Sequence, residues 1–169
     1  LASGGGTGTG TLNCTNTISS NNTATFTVSE SNLRYSVATG NWNSTSTWSY
    51  TSGGASGASV PVAGNIVTIE GGRNVTVTAD AACASIDFTA TTATSLTLNS
   101  GITLDVSGAI TIPRTGSGIN LIAVGAGNLN AGSIAFTSGG GGAVRHQITI
   151  STGTVSVTGD ITTDNTGAS

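Results

Sequence analysis

The apolar pair Leu96/Leu98 recurs as Ile122/Val124 and again as Ile148/Ile150, at a spacing of 26 residues each time. A glycine follows each pair three residues later: Gly101, Gly127 and Gly153. A second glycine then precedes another alternating pair. Gly108 leads to Ile110/Ile112, Gly132 to Ile134/Phe136, and Gly159 to Ile161/Thr163. Alternation with period two is the mark of a strand with one buried face. Such strands, punctuated by glycine and recurring every two dozen residues, are the sequence form of a stacked β architecture. One rung is too small to bury its own inner face, so it needs a neighbour above and below. The expected fold is therefore all-β: a parallel β-solenoid, or β-helix, of about four rungs. Strand twist makes its winding right-handed.

Composition agrees with an ordered chain. Charged residues are 7% and the apolar fraction is 36%, so the low hydrophobicity and high charge of disorder are missing. Ser and Thr make up nearly a third of the chain, and threonine suits exposed strand faces. A length of 169 residues is enough for one elongated domain. The net charge is −3, there is no lysine, and Arg34, Arg73, Arg114 and Arg145 are scattered. Nucleic-acid binding therefore lacks its electrostatic footprint. No run of 18 apolar residues offers a membrane span. The chain begins at Leu1 and reads as processed or excised from something longer.

Three segments are expected. Residues 1–33 form a Gly/Thr-rich extension holding one strand, with Ala24, Phe26 and Val28 alternating on one face. Residues 34–59 hold both tryptophans, Trp42 and Trp48, and are expected to form a cap and a Gly/Ser loop. The other reading of this cluster is an aromatic platform for sugar stacking. Residues 60–169 form the solenoid. Its first rung is read as Ile66–Ile69, 75–78 and Ser85–Phe88, with Thr68 stacking outward on Thr97 and Thr149. Residues 96–112, 122–136 and 148–163 supply the next three.

Chemistry is hard to place on this chain. A polysaccharide-cleaving site needs clustered carboxylates on one face. Asp87 and Asp105 fall on different strands, and no two acids recur at rung spacing. His146, the single histidine, follows a four-glycine run at the start of a strand and reads as a solvated loop residue. The Gly-rich stretches lack the lysine and helix of a phosphate loop. The expectation is no enzyme, no cofactor and no metal. Cys14 and Cys83 lack metal-type spacing. A disulfide between them is expected, the other reading being two unpaired buried thiols. The outward Thr-x-Thr rows invite an ice-binding reading, but Ala123 interrupts them.

The stretch Gly40–Ser49, GNWNSTSTWS, followed by residues 60–88, VPVAGNIVTIEGGRNVTVTADAACASIDF, resembles a known start module. It is similar to secreted β-solenoid regions of adhesin-type surface proteins in gliding, environmental bacteria. Trp42, Trp48, Pro61, Val67, Ile69, Val75, Val77, Cys83 and Ile86 fall on that pattern. The resemblance implies an extracellular adhesin or structural role and carries over no catalytic residue. It does not cover residues 1–33, where Cys14 lies.

The expected function follows from the ends of the solenoid. The tryptophan segment caps one end. At the other, Val155, Val157 and Ile161 have no polar capping unit after them. Unpaired strand edges are templates for another chain, and a head-to-tail contact that does not close makes a fibre. The expectation is an extracellular filament subunit, joined to copies of itself by the strand carrying Ala24, Phe26 and Val28. A stalk segment of a large adhesin, and an ice- or carbohydrate-binding solenoid with surface glycans as partners, are the alternatives.

Overall fold

The computed structural model describes residues 30–89, 92–138 and 146–164. Contacts divide the chain into two units, 1–30 and 31–169, and the second unit is the one whose architecture is described. It is a parallel β-solenoid. A single 3₁₀ turn at Thr45–Thr47 is the one helical element among the described residues.

The winding opens with β1 (Leu33–Ser36) and β2 (Gly40–Asn41), then the 3₁₀ turn and β3 (Trp48–Ser49). The first full turn is β4 (Ile66–Ile69), β5 (Asn74–Val77) and β6 (Ala81–Cys83). The second is β7 (Ser85–Phe88), β8 (Thr94–Leu98) and the first half of β9 (Thr103–Pro113). The third runs from the second half of β9 through β10 (Asn120–Gly125) into β11 (Asn128–Thr137). The second half of β11, β12 (His146–Ile150) and β13 (Thr154–Val157) follow, and β14 (Ile161–Thr163) begins one more.

Each turn thus lays one strand on each of three faces. The first face stacks Val67 on Ile86, Ile110, Ile134 and Ile161. The second stacks Val75 on Leu96, Ile122 and Ile148. The third stacks Cys83 on Val106, Ala131 and Val157. Because β9 and β11 run through their corners unbroken, the first and third faces belong to one nine-stranded sheet. The second face is a separate sheet of five strands.

The corner between third and first face explains the second glycine of the repeat. Gly108 N–H donates to the Ala84 carbonyl at 2.7 Å, and Gly159 N–H to the Gly132 carbonyl at 2.7 Å. A Cβ on Gly132 would stand 2.7 Å from the Ser107 oxygen and 2.8 Å from that of Gly108. From Gly108 onward the backbones stack there too closely for a side chain.

About three turns are closed on both sides, fewer than the four rungs expected. Val67, Val75, Ile86, Leu96, Ile110, Ile122 and Leu129 are fully buried. In the following turn Ile148, Val155 and Val157 are strand residues but only half-buried. They have a layer beneath them and, among the described residues, none above.

The first rung was also mis-phased by the sequence. Ile66–Ile69 is a first-face strand, and Ser85–Phe88 stacks on it in the next turn instead of completing the same one. Thr68 therefore lies beside Tyr35 and Asp87. The residue beneath Thr97 is Thr76. The glycine at 72 made the first rung resemble the later ones, although its turn is shorter. Ile150 is also displaced: a bulge between Ala123 and Gly125 pairs it with Gly125 instead of Val124.

Candidate assembly interface

The two ends of the stack are finished differently. At the first, β3 pairs antiparallel with β1, Tyr35 opposite Ser49 and Ser36 opposite Trp48. An antiparallel strand interrupts the parallel series and occupies the outer edge of β1. Trp48 is wholly buried and Trp42 nearly so. Their rings meet edge-on, 5.2 Å apart at 74°. Trp48 Nε1 donates to the Trp42 carbonyl at 2.6 Å, and Trp42 Nε1 to that of Pro61 at 3.3 Å. A buried indole needs such a partner for its N–H. Neither ring leaves a face open for sugar stacking.

Arg34 and Tyr50 complete this end, and the sequence reading missed both. The Arg34 guanidinium lies 4.7 Å over the Tyr50 ring, a cation–π distance. It also donates to the Ser59 carbonyl at 2.7 Å and to Ser59 Oγ at 2.5 Å. The residues between β3 and β4 are thereby pinned over the first turn. Glu70 holds the same segment from the side, accepting from Ser52 Oγ at 2.5 Å and from the Gly53 N–H at 3.2 Å. An arginine before a tyrosine carries no motif, so only the packing reveals the pair.

At the other end the cover is missing among the described residues. Ile134 on the first face is 1% exposed, whereas Ile161, stacked on it, is 60% exposed. Ile150 is 51% exposed. On the third face Leu129 is buried but Val155 above it only half so. Strands β12 and β13 end their sheets, and β14 pairs with β11 alone. Their outer N–H and C=O groups face no further strand among the described residues. Exposed edges are usually blunted with lysine, proline or bulges. The chain has no lysine, its two prolines, Pro61 and Pro113, lie elsewhere, and one bulge, in the pairing of β10 with β12, lies at this end. Val155, Val157 and Ile161 are thus brought to one end of the molecule. Cys14, Ala24, Phe26 and Val28 lie outside the described residues.

Cys83 has no cysteine partner among the described residues and is 1% exposed, stacked beneath Val106 inside the third face. Burial pushes its pKa up to about 12. Asp87 stands on the first face and Asp105 on the third, where Asp105 accepts from Asn130 Nδ2 at 2.6 Å. No cluster of His, Cys, Asp or Glu among the described residues could hold a metal ion. His146 is not the solvated loop residue expected. It starts β12 in register with the fully buried Asn120, and its ring packs 4.7 Å from that of Phe136. A shallow groove of about 310 Å³ on the third face is lined by Asp105, Asn130, Ser156 and Thr158 among others, without a reactive constellation. No helix among the described residues is long and apolar enough to cross a membrane. The sequence matches no protein-family model, no curated protein and no solved structure.

Proposed function

We propose that the protein is the subunit of an extracellular filament, built head-to-tail by strand donation. The segment 23–29, with Ala24, Phe26 and Val28 on one face, is the donor. The uncovered turn of β12, β13 and β14 is the acceptor. The single observation that carries this reading is the asymmetry of the ends: one sealed by an antiparallel strand and a tryptophan pair, the other open, among the described residues, in side chains and backbone alike.

Two geometric arguments support donation over simpler assemblies. Direct stacking of one solenoid on the next is blocked on the first face, because β3 already occupies the outer edge of β1. A strand supplied from elsewhere avoids that block. It must also come from another copy. Every open place at the acceptor end lies at least five strand spacings, about 24 Å, above the level of β1 and β2. The chain from Val28 to Leu33 reaches at most about 18 Å when fully extended. A donor that fits the open end but not its own chain gives a heterologous contact, and such contacts propagate. Main-chain bonds to an edge strand would supply the affinity, and apolar side chains set into the open turn the specificity.

Negative-stain electron microscopy of the purified full chain tests the reading. Uniform polymers are expected, and Phe26→Asp is expected to abolish them while leaving the β-type circular dichroism unchanged. A parent protein that stays monomeric at high concentration overturns the filament. A stalk section of a longer adhesin, whose own further turns cover the open end, then takes its place. Peptide mapping without reductant separately tests the expected Cys14–Cys83 bridge. Two free thiols would remove it.

A further inference from the structure

We infer that the donated strand takes the second face, parallel to β12, with Phe26 opposite Ile148 and Thr27 opposite Thr149. This rests on the strand-donation reading and adds where the donor sits. Three edges compete for it: β14 on the first face, β12 on the second and β13 on the third.

The alternation narrows the choice only in part. Three second-face strands read Asn74-Val75-Thr76-Val77, Ser95-Leu96-Thr97-Leu98 and Gln147-Ile148-Thr149-Ile150, while Leu121-Ile122-Ala123-Val124 departs from them. The donor reads Thr25-Phe26-Thr27-Val28, with the same order of polar, apolar, threonine, apolar. First-face strands such as Ser85-Ile86-Asp87-Phe88 share the alternation, so the decision comes from the residue two places earlier. In the donor that residue is Ala24, which carries a Cβ.

On the first face, the position two before the apolar pair is the glycine corner. Beyond Ala84 at its base, the column is Gly108, Gly132 and Gly159. A Cβ in it falls 2.7–2.8 Å from a carbonyl oxygen of the layer below. Ala24 placed over Gly159 would meet the same obstacle. On the third face the equivalent column is Ile102, Gly127 and Gly153, glycine in its two outer layers. A Cβ on Gly127 would stand 2.9 Å from the oxygens of Asn99 and Ile102, and one on Gly153 would strike the Gly127 oxygen. On the second face the column is Thr94, Asn120 and His146, all with side chains and in register. In the two outermost layers only that face carries side chains where the donor has one. The winding agrees: each turn runs first, second, third face, so the place after β14 is above β12.

Site-directed disulfides in the full chain test the assignment. Directly opposed residues of neighbouring strands are about 4.8 Å apart, within the Cα range that a disulfide bridges. The Thr27→Cys/Thr149→Cys variant, oxidised after assembly, is expected to give a covalent ladder on a non-reducing gel. Mass spectrometry should find the 27–149 cross-linked peptide between chains. Thr27→Cys/Thr162→Cys should give no ladder. A ladder from the 162 pair in place of the 149 pair overturns the second-face assignment and leaves the filament standing. An unsubstituted protein that forms no polymer overturns both. Ala24→Thr provides a check free of cysteines, since Thr94 occupies that column. Polymer retained in Ala24→Thr is expected, and polymer lost there but kept in Ala24→Gly overturns the proposal.

Discussion

His146 and Cys83 show how the stack changes the chemistry of single side chains. The pKa of His146 is lowered, first by burial of the ring and second by the positive charge of Arg114. Its charged form is disfavoured in the folded state, so the unfolded chain takes up the proton first. The associated stability is fully present above the unfolded-state value near 6.5 and is lost as pH falls through the lower folded value. The melting temperature should therefore drop between pH 7 and pH 5, above the range where most carboxylates protonate. In His146→Gln that part of the slope should vanish. A slope unchanged in the variant would assign it to other groups. At Cys83 the prediction concerns size and polarity. Under reducing conditions, with the thiol unbridged, Cys83→Ser places a hydroxyl beneath Val106 and should cost about 1–3 kcal/mol in denaturant unfolding. Cys83→Val, which adds only apolar bulk, should cost less than the serine.

At the scale of the element, the corners carry as much information as the strands. Between the third and first faces the chain turns on a glycine column, and the turn is closed by 2.7 Å backbone bonds from one layer to the next. Gly132→Ala sets a methyl group against two carbonyl oxygens that belong to the layer below. The expected loss is about 1–3 kcal/mol, the usual range for overpacking. Gly116→Ala is the control, because a Cβ there meets nothing within 4 Å. It should unfold at the parent's denaturant midpoint. Comparable losses in both variants would mean that the glycines act through chain entropy instead of close approach. The inner columns should respond more strongly. Ile122→Ala removes a fully buried side chain held between Leu96 and Ile148, and should cost about 2–5 kcal/mol.

At the scale of the whole molecule, stability should be graded along the stack. A solenoid layer is held by its neighbours, and the layer of β12, β13 and β14 has one neighbour among the described residues where the inner layers have two. Hydrogen exchange on a monomeric variant such as Phe26→Asp should find the amides of β12–β14 the least protected and those of β7–β10 the most. On assembly of the parent chain, protection should rise at the open end and stay level at the tryptophan end. Equal protection along the monomer would show that the last turn is already covered, which would remove the acceptor from the proposed function.

The sequence by itself determined the architecture. The 26-residue spacing of Leu96, Ile122 and Ile148 stands in the structure as one column of adjacent strands. It was legible because a stacked rung must place like side chains at like positions, which writes the repeat into the chain. The phase of the first turn was not legible. Ile66–Ile69 and Asn74–Val77 have the same alternation, and nothing local says which face a strand of that pattern joins. Only the pairing of Thr76 with Thr97, and of Thr68 with Asp87, decided it. The environment of His146 was hidden for a similar reason: its neighbours Asn120 and Phe136 are close through winding, not through sequence. The contact of Arg34 with Tyr50 arises when the segment after β3 folds back over the first turn. A periodic pattern reports what each layer must share. Contacts that close an end or fill a corner occur once, leave no period, and are set by the tertiary structure alone.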